Sequence, residues 1–149
     1  MIDARTHDNQ ADFHGTKGLV IAGDKLVVYR RDNKTDLFPE HIDLPGGGRE
    51  AGESPFDTFK REVKEEFNLD ISPQDIVYSR MYPSSQFKDR FAYFMVAKLP
   101  EDELSNVKLG DEGQEVLILT AKEYLQRKDA WPVFQERAKH FFETEGVKP

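Results

Sequence analysis

Three carboxylates, Glu62, Glu65 and Glu66, fall within five consecutive residues of the segment Ser54 to Leu69. On a helix turning 100° per residue they lie within about 100° of one another. They stand beside an apolar stripe of Phe56, Phe59, Val63 and Phe67, so they do not occupy a fully solvated back. Carboxylates crowded into one turn repel each other and need cations between them. Hard oxygen donors suit Mg²⁺ or Mn²⁺ and not zinc. Against this stands a plainer reading. Lys60, Arg61 and Lys64 are interleaved with the acids, and Glu/Lys-rich helices commonly do no more than solvate a surface.

The elements that would hold these acids are marked along the chain. Ser54 can cap the helix, Pro55 suits its first position, and Asp57 completes a Ser-x-x-Asp capping box. Asn68 sits where a left-handed carboxy-terminal residue is expected. Upstream, Gly18–Ala22 and Lys25–Tyr29 read as strands around a Gly23-Asp24 hairpin turn. A polar loop from Arg31 to Pro39 leads into Ile42-Asp-Leu and the run Pro45-Gly-Gly-Gly48. Downstream, Ile76–Tyr82 and Phe91–Ala97 read as paired strands around a polar turn. An acidic loop, Glu101 to Glu115, precedes a strand over Val116–Leu119 and two helical patterns, Ala121–Arg127 and Val133–Glu143. Strands with helices interspersed predict an α/β fold, a mixed sheet flanked by helices.

Composition narrows the classes. At 149 residues the chain is the size of one domain, and 1–149 is read as a single unit with 1–12 loosely held. A net charge of −7 argues against a nucleic-acid-coating protein. The absence of cysteine excludes disulfides, thiolate metal sites and a Cys nucleophile. No apolar run approaches the roughly 18–20 residues that span a bilayer, and the first fifteen residues hold no apolar signal core. The expectation is a soluble, cytoplasmic protein with no membrane or nucleic-acid partner, as monomer or homodimer.

The segment Gly47-x5-Glu53-x7-Arg61-Glu62-Val63-Lys64-Glu65-Glu66-Phe67-Asn68-Leu69 resembles the signature of the Nudix hydrolases, G-x5-E-x7-R-E-U-x-E-E-x-G-U with U apolar. Only Asn68, in place of the last glycine, departs from it, and Leu44-Pro-Gly-Gly-Gly48 is similar to the family's approach to the box. The resemblance implies an α/β/α sandwich in which the box is a loop–helix–loop that holds divalent cations, Mg²⁺ or Mn²⁺. By it, Glu62, Glu65, Glu66 and the carbonyl of Gly46 match metal ligands. Gly47, Glu53 and Arg61 match the structural support of the site, the latter two as a buried pair. Glu50 falls where many members carry a further acid. Asn tolerates the conformation the missing glycine would adopt. Ile42 stands where many members have a Trp, which puts base stacking there in doubt.

The implied activity is hydrolysis of a nucleoside diphosphate linked to another moiety, by attack of water on phosphorus. Carboxylate-held metal ions serve that reaction by neutralising charge and activating water. The general base is left open between Glu65 or Glu66 and two later acids, Glu112 and Glu115, whose alternative is an ordinary solvated loop. Arg30 and Arg31, ending the second strand, are candidates for holding a phosphate, with a surface role as alternative. His7, His14, His41 and His140 show no metal spacing, and Trp131-Pro132 with the phenylalanines after it reads as a docked core helix. Subgroup markers do not decide: Pro83 is one residue early for an ADP-ribose hydrolase, and Gln86 and Phe87 stand near the Tyr of dinucleoside polyphosphate hydrolases. Small size favours nucleoside triphosphates, oxidised ones included, as in MutT-like enzymes. The alternatives are an ADP-ribose or nucleotide-sugar diphosphatase and a binding-only nucleotide sensor. Isomerases of this fold use a Cys, which is absent.

Overall fold

Two apolar runs, Leu19-Val-Ile-Ala22 and Leu26-Val-Val-Tyr29, bury both faces of their strands, as expected at the centre of a sheet covered on both sides. The computed structural model describes residues 13–31, 41–110 and 113–144. The amino-terminal segment 1–12, nearly all of the expected polar loop, and Glu112 lie outside them.

β1 (Phe13–Ala22) and β2 (Lys25–Arg31) join at Gly23-Asp24, where Gly23 takes φ 63°. The hairpin is real but brief. Its rungs are Ile21↔Leu26 and Ala22↔Lys25, and beyond them the strands splay. Into the gap come β3 (Ile42–Asp43), paired to β2, and β4 (Gly46–Gly48), paired to β1. The outer edges hold the splayed strands in place. β1 runs parallel to β6 (Phe91–Leu99), and β2 runs antiparallel to β7 (Gly113–Thr120). β5 (Ile76–Pro83) adds antiparallel to β6, as its sequence predicts. The sheet is mixed.

Residues alternate between two cores. On one face α1 (Pro55–Phe67) lays Phe56, Phe59, Val63 and Phe67 onto Val20, Val27, Tyr93 and Met95. On the other, α2 (Ala121–Gln126) and α3 (Pro132–Thr144) pack Tyr124, Phe134, Phe141 and Phe142 onto Leu19, Ile21, Val28 and Phe94. This is the α/β/α sandwich. Among the described residues no helix is long and apolar enough to cross a membrane.

Two strands start well before the residues the sequence predicts. β1 starts at Phe13 rather than Gly18, and β7 at Gly113 rather than Val116. The apolar run of β1 is broken by Gly15, Thr16 and Lys17, because this end of the strand lines a cavity instead of filling a core.

Candidate functional site

The turn between β3 and α1 is shaped by close approach. Gly46 has φ 135°, a conformation that strains any side chain, and a Cβ there would collide with the Thr16 carbonyl. Its N–H donates to Glu66 Oε1 at 2.9 Å. Gly47 has no room for a side chain either, because the carboxylate carbon of Glu62 lies 2.6 Å from where its Cβ would be. The glycines thus let α1 press two carboxylates against the backbone of the turn.

α1 is oriented by its caps and by one arginine. The Ser54–Asp57 capping box is present, and Asn68 adopts φ 61°, ψ 30° with its N–H on the Lys64 carbonyl. Arg61 grips Glu53 through Nε (2.7 Å) and Nη2 (3.1 Å), and donates to the Gly48 carbonyl at 2.8 Å and to Glu62 Oε1 at 2.8 Å. That fork holds the Glu53 carboxyl down at about 2. Glu50 is exposed, 3.5 Å from Arg61 Nε.

The three glutamates are not equivalent. Glu62 and Glu66 are buried, whereas Glu65 is exposed with its carboxylate 3.4 Å from Arg61 Nη1. Burial pushes the Glu66 carboxyl up to about 8, while Lys17 and the Gly46 N–H pull it back. Oε2 of Glu66 is buried with no hydrogen-bond partner. An orphaned carboxylate oxygen of this kind calls for a proton or a cation. Among the described residues no three acidic or imidazole side chains close on one point. Arg61 draws Glu62 aside and Glu65 faces solvent. The donor set is nonetheless all hard oxygen, and the orphaned atom gives it a focus that fits Mg²⁺ or Mn²⁺.

Beside this acidic group lies its inverse. Asp43, fully buried, accepts from Lys17 Nζ at 3.0 Å, Arg31 Nη1 at 3.0 Å and the Leu44 N–H at 2.8 Å. Lys17 Nζ also reaches the Leu44 carbonyl (3.2 Å) and that of Gly46 (3.4 Å). Both cations open onto a cavity of about 620 Å³ whose wall includes Gly46–Gly48 and Glu62. Phe87 and Trp131 add aromatic surface to it. Phe87 rides on the β5–β6 turn, edge-on to His14 at 4.9 Å, and His14 Nε2 shares a 2.7 Å hydrogen bond with Ser84 Oγ.

A family model described as the NUDIX domain matches residues 13–141. The chain belongs to the Nudix family. Among solved structures, a MutT protein from Methanosarcina mazei Go1 is similar at TM-score 0.73 and 21% identity, over 93% of this chain and 99% of that one. A C. elegans Ap4A hydrolase is similar at TM-score 0.64 and 16% identity, over 89% and 98%. A bifunctional NMN adenylyltransferase/ADP ribose pyrophosphatase from Francisella tularensis is similar at 0.58 and 20% identity, over 80% of this chain and 35% of that one. No curated protein matches in sequence. At such identities the likeness to solved structures is one of fold.

Around the Nudix box the other expected residues part company. Arg31 lines the cavity, but Arg30 does not. Neighbours on a strand point to opposite faces, and the ladder shifts register between these two. Arg30 is committed to Glu115 at 2.9 Å and to Asp129 at 3.2 Å. The structure therefore places two expected site residues, Arg30 and Glu115, against each other and outside the cavity wall. Glu112 lies outside the described residues.

Among the residues in and around the cavity that the sequence did not single out as site residues are Lys17, Asp43, Phe87 and Arg137. Lys17 left a signal: it shares strand parity with the inward-facing Leu19 and Ile21, where a charge is anomalous. Trp131 and Phe134, read as core, stack on each other at 5.1 Å and also form cavity wall.

Proposed function

We propose that this Nudix chain is a divalent-metal-dependent pyrophosphohydrolase acting on a nucleoside diphosphate linked to another moiety, with nucleoside triphosphates, oxidised forms among them, the first class to test. The observation that carries this reading is the orphaned oxygen of Glu66, set between Gly46 and Glu62 beside the cation-lined cavity.

Glu62, Glu65, Glu66 and the Gly46 carbonyl would hold the ion. When bound, it supplies neutralisation of phosphate oxygens and a lowered pKa for attacking water. The chain's own residues do the rest. Gly46 N–H fixes the Glu66 carboxylate, and Arg61 fixes Glu62 relative to the turn. Lys17 and Arg31, anchored by Asp43, present positive charge to the phosphates and orient them. Phe87, exposed on the cavity wall, offers a face for a base. Glu65, exposed and only loosely tied to Arg61, is the box carboxylate freest to take a proton from water.

A second reading, a nucleotide-sugar or ADP-ribose diphosphatase, is favoured by one observation. The cavity wall runs across three strands, from Gly48 on β4 over β1 to Ala92 on β6, and on to the β5–β6 turn, further than a triphosphate chain alone spans. A hydrolysis screen of nucleoside triphosphates and nucleotide-linked sugars with Mg²⁺, reading the released products, tests both. Release of a mononucleotide from one class is expected, together with a rise in Tm on saturating Mg²⁺. If no compound is cleaved and Mg²⁺ leaves the melting curve where chelator puts it, the reading fails.

A further inference from the structure

A buried charge on α3 stands apart from the two clusters around Gly46–Gly48. Arg137 is 7% exposed, yet among the described residues it forms no ion pair. Its one hydrogen bond runs from Nη2 to the Pro83 carbonyl at 2.9 Å. Its guanidinium lies over the Tyr82 ring at 4.7 Å and the Phe134 ring at 5.7 Å. The neighbouring acid, Glu136, is exposed and forms no ion pair with it. Burial pulls its pKa down, and only Tyr82 opposes. A guanidinium carries five N–H donors in a rigid fork, so this one has donors to spare. Arg137 also lines the cavity. Its position there follows from strand register. Gly48 pairs with Gly15, Gly15 with Ala92, and Ala92 with Tyr82. Three strand spacings put Tyr82 roughly 14 Å from Gly48. Gly15 and Ala92, between them, both line the cavity.

We infer that Arg137 receives a second anionic group of the substrate, a phosphate or carboxylate, remote from the diphosphate held at Gly46–Gly48. This rests on the hydrolase reading above and narrows it. A nucleoside diphosphate carrying a further phosphate on its ribose, or on the far side of its second moiety, spans the distance. A buried cation with unused donors is costly to keep and complements a buried anion, which its planar fork meets with two parallel hydrogen bonds. The Tyr82 and Phe134 rings pack against the guanidinium, and the side chain still reaches the cavity wall.

The test uses pairs of compounds that differ only by one such phosphate: ADP-ribose and its 2′-phosphate, NADH and NADPH, dephospho-coenzyme A and coenzyme A. With Mg²⁺, kcat/KM of the wild type is expected to favour the phosphorylated member of at least one pair by roughly tenfold or more, expressed in KM. Arg137→Gln should abolish that preference, raising KM of the phosphorylated member to that of its unphosphorylated partner. Arg137→Lys, which keeps the charge without the fork and guards against a folding failure of the first variant, should retain part of it. Titration calorimetry of the same pairs reads the preference without turnover. If nothing is hydrolysed but the affinity preference appears and depends on Arg137, the hydrolase reading falls and the anion site stands. If the members of every pair are cleaved and bound alike, or the preference survives Arg137→Gln, the anion site is overturned while the hydrolase reading stands.

Discussion

Two charge clusters flank the glycine turn, and they are built with opposite signs. On the α1 side one cation, Arg61, is ringed by Glu53, Glu62 and Glu65. On the β1–β2 side one carboxylate, Asp43, is ringed by Lys17 and Arg31. The central residues also differ in burial, Asp43 being fully covered and Arg61 about one-fifth exposed. The first cluster leaves a surplus of negative charge and the second a surplus of positive charge. A chain of net charge −7 thereby presents both signs within one cavity wall. On the function proposed above, the acidic half would hold a metal ion and the basic half would meet phosphates. Neither half alone would bind a polyphosphate in a protein of this overall charge.

The largest expected effect falls on the acidic half. Glu66→Gln keeps shape and hydrogen-bonding capacity but removes the charge on the orphaned oxygen. Turnover with Mg²⁺ should fall by a factor of about 10² or more, as expected when electrostatic stabilisation of the transition state is lost. Steady-state kinetics on whichever substrate the screen yields would measure it. Wild-type turnover in this variant would remove the acidic half from catalysis and leave the comparison one of packing only.

Next comes the basic half, where the effect is on stability. Asp43→Asn leaves Lys17 and Arg31 side by side without their shared counter-charge. Breaking such a buried group costs about 3 kcal/mol, to be read from urea unfolding. Arg61→Gln should cost less, because the carboxylates around Arg61 are nearer water. The reverse order would show that burial is not what separates the clusters.

Glu53 gives the comparison a pH axis. Its folded pKa, about 2, lies below its ordinary value of 4.5, chiefly because of its hydrogen bonds with Arg61. A depressed carboxylate contributes stability above its ordinary pKa and loses it as pH falls toward the folded value. Between pH 6 and pH 3 the wild type should therefore lose about 2 kcal/mol that Glu53→Gln does not lose. Unfolding curves at the two pH values check it, and parallel losses in both proteins would shift the pH response to another group.

The acidic half was legible in the sequence almost entirely, and the basic half hardly at all. Ser54, Asp57, Glu53, Arg61 and Glu66 lie on one local stretch whose spacing is fixed by helix geometry, so order along the chain carries their order in space. Lys17, Arg31 and Asp43 come from three strands and meet only because β1 and β2 splay and admit β3. Nothing local announces that splay; the Gly23-Asp24 turn predicts a hairpin that in fact pairs for only two rungs. Arg30 and Arg31 look alike as neighbours, and a register shift gives one to Glu115 and the other to the cavity. Arg137 was hidden for a related reason, since an apolar helix pattern shows what is buried without showing what is left unpaired.

The smallest effect sits where the acidic half ends. Asn68 closes α1 in a left-handed conformation, and beyond it Lys108 N–H and Gly110 N–H cap the carbonyls of Phe67 and Glu66. The closure therefore fixes the backbone that carries Glu65 and Glu66. A Cβ in this region costs about 1 kcal/mol for most residues, while Asn is tolerated and Gly is free of the cost. Asn68→Ala should lose about 1 kcal/mol in urea unfolding. Asn68→Gly should be near neutral, because it gives up only a 3.3 Å hydrogen bond from Nδ2 to the exposed Asn106 carbonyl. Both variants should keep their turnover, since the caps from Lys108 and Gly110 hold the last turn. Equal stability for Ala and Gly would mean that the left-handed residue is not what ends the helix. A loss of turnover in Asn68→Gly would mean that the Asn106 contact, and not backbone conformation, sets the position of the box acids.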